Sequence, residues 1–182
     1  MNIPLYFEWA IPALYLGLSI VRMESWRVSQ WMPCIALLLV VSGFQSQTVA
    51  VGLMLLLVNF LGGAILIYSE RYLRGEKGRE RYRRYLMLTL AAINVVVFSD
   101  DLLILSLAWF LTSVGLHGLL TFYDYRPQAI IAAHKKFPLS RLADLCLAAA
   151  LVLVYVECGS FSIEAIEASA TSLRVAMFLI SL

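Results

Sequence analysis

The stretch Ala132-Ala133-His134-Lys135-Lys136-Phe137-Pro138-Leu139-Ser140-Arg141-Leu142-Ala143-Asp144 carries a histidine, two lysines, an arginine and an aspartate. It passes, with no helix-ending glycine, into Leu145–Val156, which is almost wholly apolar. One helical pattern runs through both, so the charges sit on a membrane-spanning helix. On insertion scales a charge at the bilayer centre costs at least ~2.5–3.5 kcal/mol, which makes such a residue a candidate functional group by default. Lysines near a helix end have a simpler reading: their ammonium groups reach back to the headgroups along an apolar surface. That reading suits Lys136. It suits Arg141 and Asp144 less well, because they lie deeper along the segment.

The rest of the chain agrees with a membrane setting. Of 182 residues, 62% are hydrophobic and 14% charged, with a mean hydropathy of +0.84; a soluble domain has about 45–50% apolar and about 25% charged residues. The fold class is therefore an all-α, polytopic membrane bundle, read as a single membrane domain over residues 1–182. The net charge of +2 gives no reason to expect a nucleic-acid partner. Cys34, Cys146 and Cys158 lack metal-ligand spacing; the first two lie in apolar spans and read as small buried residues. No glycine-rich phosphate loop, zinc-spaced cluster or nucleophilic triad is visible, and no enzymatic site is expected in this chain. The amino-terminal apolar stretch has no basic region before it and is interrupted by Glu8. It reads as a retained span rather than a cleaved signal.

A span needs about 20 apolar residues. Candidates fall at Pro4–Val21, Gln30–Phe44, Thr48–Tyr68, Tyr85–Phe98, Leu102–Tyr123 and Gln128–Val156. Glu157–Thr171 reads as an interfacial segment, and Leu173–Leu182 as the start of a seventh span. Between the third and fourth spans lie seven basic residues, Arg71, Arg74, Lys77, Arg79, Arg81, Arg83 and Arg84. A short basic loop between spans is a topology signal that belongs in the cytoplasm. With it inside, Arg22, Arg27 and Arg126 also fall inside, while Asp100, Asp101, Glu164 and the amino terminus fall outside. Every basic connection lands on one side, which supports six spans.

The charged residues permit specific chemistry. Arg141 and Asp144 are three apart and can pair on one helix face. Lys135 lies about 10 Å inside the cytoplasmic end of the sixth span and Arg141 about 20 Å inside. Pro138, between them, removes a backbone hydrogen bond and can kink the helix. His117 lies about 8 Å from the cytoplasmic end of the fifth span, a depth similar to Lys135. A histidine titrates near neutral pH, and a desolvated lysine can be drawn towards it, so the two with water could relay protons. The alternative is a satisfied histidine bonded to a neighbouring helix; the residue types leave both readings open. The relay candidates are therefore His117, Lys135, Arg141 and Asp144, with Lys136, His134 and Asp100 as secondary candidates.

Four blocks in order, Tyr68-Ser-Glu-Arg-Tyr-Leu-Arg-Gly-Glu76, Arg83-Arg-Tyr-Leu-Met-Leu88, Ser99-Asp-Asp-Leu-Leu-Ile-Leu-Ser-Leu-Ala-Trp109 and the Ala132–Asp144 stretch, resemble the antiporter-like membrane subunits. That family includes subunit L of respiratory NADH–quinone oxidoreductase and the large cation/proton antiporter subunits. The resemblance covers about residues 47–156 and implies a bundle that moves protons through buried charges, of which this chain is an amino-terminal portion. Lys135, Arg141 and Asp144 match the family's sixth-span positions. One departure stands out: the respiratory members carry glutamate straight after the tryptophan of the fifth span, where this chain has Phe110. His117, seven residues on and so on nearly the same face, is our candidate for its replacement.

Trp109-Phe-Leu-Thr-Ser-Val-Gly-Leu-His-Gly-Leu-Leu-Thr-Phe-Tyr123 is more similar to the DabB branch, membrane subunits of two-component inorganic-carbon systems. The resemblance implies a DabA-like partner related to zinc carbonic anhydrases. It implies proton flow driving carbon dioxide hydration or bicarbonate accumulation in the bacterial inner membrane, with no cofactor in this chain and zinc in the partner. A second membrane chain could supply the remaining helices. Two alternatives remain: an energy-coupling subunit of a respiratory, hydrogenase or antiporter complex, against which the missing glutamate argues, and a non-conducting scaffold.

Overall fold

The computed structural model describes residues 3–20, 34–40, 49–76, 78–122 and 127–163. These form six helical segments: α1 (Ile3–Ile20), α2 (34–40), α3 (Val49–Tyr72), α4 (Arg79–Phe98), α5 (Leu102–Leu120) and α6 (Pro127–Cys158). Three are long and apolar enough to cross a membrane, within Val49–Tyr72, Leu102–Leu120 and Ile130–Val156. At a rise of ~1.5 Å per residue, the 24 residues of α3 reach about 36 Å, more than a hydrocarbon core of about 30 Å. The expected second span is described only at 34–40. The Arg22–Arg27 connection, most of the Glu157–Thr171 segment and the Leu173–Leu182 run lie outside the described residues.

α4 is the centre of the bundle, with α1, α3 and α5 packed around it and α6 against α5. Contacts fix the relative directions. Trp9 meets Phe98, Asn59 meets Asn94, Ser69 meets Tyr82 and Tyr82 meets Phe122. So α1, α3 and α5 run one way and α4 runs the other, as alternate spans must. The burial pattern follows: Leu86, Met87, Leu90, Ala91 and Ala92 of α4 are buried, while α3, α5 and α6 expose apolar residues such as Phe60, Leu107 and Val156. An exposed apolar face of this extent suits contact with lipid or further helices.

α4 begins at Arg79, six residues ahead of the span expected from Tyr85. Hydropathy marks where a helix enters lipid, whereas arginine and glutamate are good helix formers and extend it into water. The connection is short because Gly75 (φ 92°) and Gly78 (φ 101°) take left-handed turns that side chains resist. Arg83 is buried at this end, with its Nε donating to Glu80 Oε2 at 3.1 Å and its Nη2 close to Glu80 Oε1. Those hydrogen bonds hold the Glu80 carboxyl below the usual carboxylate range, against a smaller opposing effect of burial.

Close approach of α4 and α5 rests on small residues. Gly115 faces Thr89, and a Cβ on Gly118 would lie 2.5–2.7 Å from three ring carbons of Tyr85. Across α1, α3 and α4 runs a buried polar chain. Tyr15 Oη donates to Asn59 Oδ1 at 3.0 Å, and Asn59 Nδ2 donates to Asn94 Oδ1 at 2.8 Å. Each amide also donates to the carbonyl one turn back, Leu55 or Leu90, both at 2.8 Å. Bonds between helices in lipid average about 0.6 kcal/mol and reach ~1.7 kcal/mol, so the chain fixes register more than it adds stability.

At the opposite end Asp101 caps α5, accepting from Leu103 N at 2.8 Å and Ile104 N at 3.2 Å. The α4–α5 turn is also tied to the segment after α6. Leu102 N donates to Phe161 O at 3.0 Å and Ile163 N to Asp100 O at 3.1 Å. The basic α3–α4 connection and the acidic Asp100–Asp101 turn therefore lie at opposite ends of the bundle.

Candidate functional site: the charged interface of α5 and α6

Phe110, Ser113 and His117 are spaced by three and four residues on α5, and Phe137, Arg141 and Asp144 by four and three on α6. Each set forms one helix face, and the two faces meet. Arg141 Nη2 lies 2.9 Å from Asp144 Oδ2 and donates to Ser113 Oγ at 3.3 Å. The Arg141–Asp144 contact is an ion pair without hydrogen-bond geometry, since Asp144 Oδ2 and Arg141 Nε are buried with no hydrogen-bond partner. The guanidinium carbon sits 4.4 Å from the Phe110 ring centre and 5.2 Å from that of Phe137. A cation over an aromatic face is attracted by the ring quadrupole, by ~0.5–1 kcal/mol when exposed and ~2 kcal/mol or more when desolvated.

Phe110 thus offers Arg141 an aromatic face at the position where the respiratory pattern has a carboxylate. With no second carboxylate there, the charge of Arg141 is balanced by Asp144 alone among the described acidic residues.

His117 lies one turn beyond Ser113, towards the C-terminal end of α5. Its ring packs against Phe137 with centres 5.0 Å apart. Its Nδ1 is buried with no hydrogen-bond partner. A buried ring nitrogen without a protein partner is costly, so it marks a place for an ordered water or a functional role. Phe137 therefore touches both His117 and Arg141, and links them through one apolar ring.

The other candidates are placed differently. Lys135 is exposed and makes no ion pair or hydrogen bond among the described residues. Lys136 is the lysine that turns towards α5, where its Nζ donates to Ser113 O at 3.4 Å. His134 is exposed and its Nδ1 lies 2.8 Å from Ile130 O on its own helix. Asp100 is exposed at the far end. α6 stays helical through Pro138, so residues nine apart, such as Lys135 and Asp144, present opposite faces. Ser113 and Phe137 were not singled out from the sequence. Their four-residue spacing, Ser113 to His117 and Phe137 to Arg141, is the signal that identifies them. Among the described residues no group of three or more His, Cys, Asp or Glu comes together as a metal site.

Paired intramembrane charges beside an unpartnered histidine are the kind of site a cation- or proton-moving membrane subunit uses. The similarities to known proteins agree. Residues 99–182 match the family described as NADH:quinone oxidoreductase/Mrp antiporter, TM. Over these residues the chain matches this antiporter-like family of membrane subunits, and its relatives are subunits of the same kind.

Among its relatives is a "Probable inorganic carbon transporter subunit DabB" of Hydrogenovibrio crunogenus, 35% identical over 90% of this chain and 27% of the relative. Its counterpart DabB2 of Halothiobacillus neapolitanus is 43% identical over 62% of this chain and 20% of the relative. NADH-quinone oxidoreductase subunit L of Escherichia coli is 38% identical over 60% of this chain and 18% of the relative. The chain thus spans about a quarter or less of the length of these relatives. The family match extends past residue 156, where the resemblance read from the sequence stops.

Proposed function

We propose that this chain is part of a proton-translocating, antiporter-like subunit that couples proton flow to inorganic carbon uptake. A DabA-like partner holding zinc would carry out the hydration chemistry. The observation that carries this reading is Phe110 stacked on Arg141, in place of the respiratory carboxylate, in a chain similar to two subunits named for inorganic carbon transport. Arginine stays protonated at any working pH. Arg141 therefore sets the local field, and protons pass by way of His117, with Asp144 as counter-charge; Lys135, exposed on another face of α6, stands outside this path. Bilayer, partner and, where the channel is divided between chains, a second membrane chain complete the assembly.

The orientation follows from charge. The basic end, with Arg74, Arg79 and Arg84, faces the bacterial cytoplasm, and the Asp100–Asp101 turn faces outward. The amino terminus then lies outside, in the inner membrane. Single cysteines at Glu76 and Asp100 test this with an impermeant thiol reagent on intact cells. Asp100→Cys labels directly and Glu76→Cys only after permeabilisation; the reverse pattern rejects the orientation.

Growth in air of a carbonic-anhydrase-deficient host tests the function. The full-length gene, expressed with a gene for the proposed DabA-like partner, restores growth, and a protonophore abolishes the rescue. The runner-up is an energy-coupling subunit of a respiratory or antiporter complex, favoured by the 38% identity to subunit L. It predicts no rescue, together with loss of quinone-linked or cation-linked proton pumping when the gene is deleted.

A further inference from the structure

We propose that the cytoplasm-facing junction of α1 and α4 binds one anionic glycerophospholipid, with its phosphate held by Arg81 and Arg84 and an acyl chain laid between α1, α4 and α5. Two adjoining hollows make the site. The first is a cleft of about 580 Å³ lined by Ser19, Glu80, Arg81, Arg84, Tyr85 and Leu88. The second, about 160 Å³, is wholly apolar, and its lining includes Leu16, Leu88, Ala92, Val95, Leu107 and Leu111. Leu88 lines both. Leu16 of the apolar hollow and Ser19 of the cleft lie one turn apart on α1. The two hollows thus follow one another down the same side of α4, polar end first.

The charges favour an anion. Glu80 is the one acidic residue among the described residues lining the cleft, and its carboxylate is shared between Arg83 behind it and Arg84. Arg84 Nε is buried with no hydrogen-bond partner, at 3.7 Å from Glu80, while its side chain is 43% exposed. Arg81 is exposed, makes no ion pair among the described residues and lies with its guanidinium carbon 5.7 Å from the Tyr85 ring centre. Arg81, Arg83 and Arg84 therefore have the single carboxylate of Glu80 between them among the described residues, which leaves a net positive charge at the cleft. They sit where α4 passes from its basic first turns into its apolar stretch, next to Tyr82, Tyr85 and Phe122, the aromatic setting typical of headgroup level. A free phosphate would use the cleft and leave the apolar hollow empty. A neutral lipid would use the hollow and leave the surplus positive charge unmatched. An anionic phospholipid fills both.

The test uses the full-length chain purified in detergent, stripped of lipid and titrated with phosphatidylglycerol in native mass spectrometry. One phosphatidylglycerol binds, and phosphatidylcholine and glycerol phosphate bind far more weakly. Each arginine near an anionic headgroup contributes enough that Arg81→Gln with Arg84→Gln together weaken binding about thirtyfold. Leu111→Trp, which fills the apolar hollow and leaves the arginines in place, weakens phosphatidylglycerol and not glycerol phosphate. On the unaltered protein, phosphatidylglycerol with a diazirine in its acyl chain crosslinks to peptides of α4 and α5. Equal binding by the double variant, equal binding of glycerol phosphate, or crosslinks confined to other helices would each overturn the proposal.

Discussion

Replacing Phe110 with leucine removes the aromatic face beneath Arg141 and keeps an apolar side chain of comparable reach. The guanidinium carbon loses a ring at 4.4 Å and keeps the Phe137 ring at 5.2 Å, while Nη2 keeps Asp144 Oδ2 at 2.9 Å. With the Arg141 side chain 26% exposed, the attraction falls between the exposed and desolvated limits, about 1 kcal/mol. Since about 1.4 kcal/mol is tenfold in an equilibrium, the held position of Arg141 becomes about fivefold less favoured relative to others. If that position is needed for coupling, proton-driven uptake by Phe110→Leu falls by up to about fivefold at unchanged abundance. Phe110→Trp, which strengthens the aromatic face, retains uptake. Packing alone gives the opposite order, because tryptophan is the larger misfit. Equal activity of the leucine and tryptophan variants, or loss in tryptophan alone, refutes the role given to this ring.

Other expectations concern the bundle. Gly118→Ala places a Cβ 2.5–2.7 Å from the Tyr85 ring and destabilises by about 1–3 kcal/mol, read as a lower melting temperature in detergent. Gly17→Ala, with nothing within 4 Å of the added carbon, serves as the matched control and leaves melting nearly unchanged. Asn94→Leu strands one buried amide proton of Asn59 and lowers stability by about 1–3 kcal/mol. Combining it with Asn59→Leu costs less than the sum of the two single changes, because the residues share a bond. The depressed Glu80 carboxyl gives a pH dependence. Its stabilising effect is complete above its ordinary value of 4.5 and is lost as pH falls through the lower folded value. Glu80→Gln therefore flattens the acid side of the stability profile; an unchanged profile rejects the Arg83 link.

The helical class and the α3, α5 and α6 spans were legible in the sequence, because an apolar run of about 20 residues is what a bilayer crossing demands and is longer than a soluble core helix needs. The Arg141–Asp144 pair was legible for a similar reason: opposite charges three apart on an apolar helix have each other as the nearest partner. Other features left weaker marks. A lone asparagine such as Asn59 or Asn94 breaks no hydropathy pattern, and only the crossing of α3 over α4 brings the two together. The start of α4 at Arg79 was masked by the charges that hydropathy treats as loop. Lys135 matched His117 in depth, but depth along a helix says nothing about direction around it. The structure turns Lys136 towards α5 and leaves Lys135 exposed. Ser113 and Phe137 are ordinary membrane residues until the facing helix is known.

The most direct test of the central claim is uptake of radiolabelled bicarbonate, driven by an imposed pH gradient, in cells expressing the full-length subunit and the proposed DabA-like partner. His117→Ala and Asp144→Asn are compared with Ser106→Ala, whose hydroxyl bonds only to the Leu102 carbonyl of its own helix among the described residues. The account predicts gradient-dependent uptake in the unaltered protein and in Ser106→Ala, and its loss in His117→Ala and Asp144→Asn at normal abundance. Gradient-driven uptake that survives both substitutions at normal abundance would contradict it.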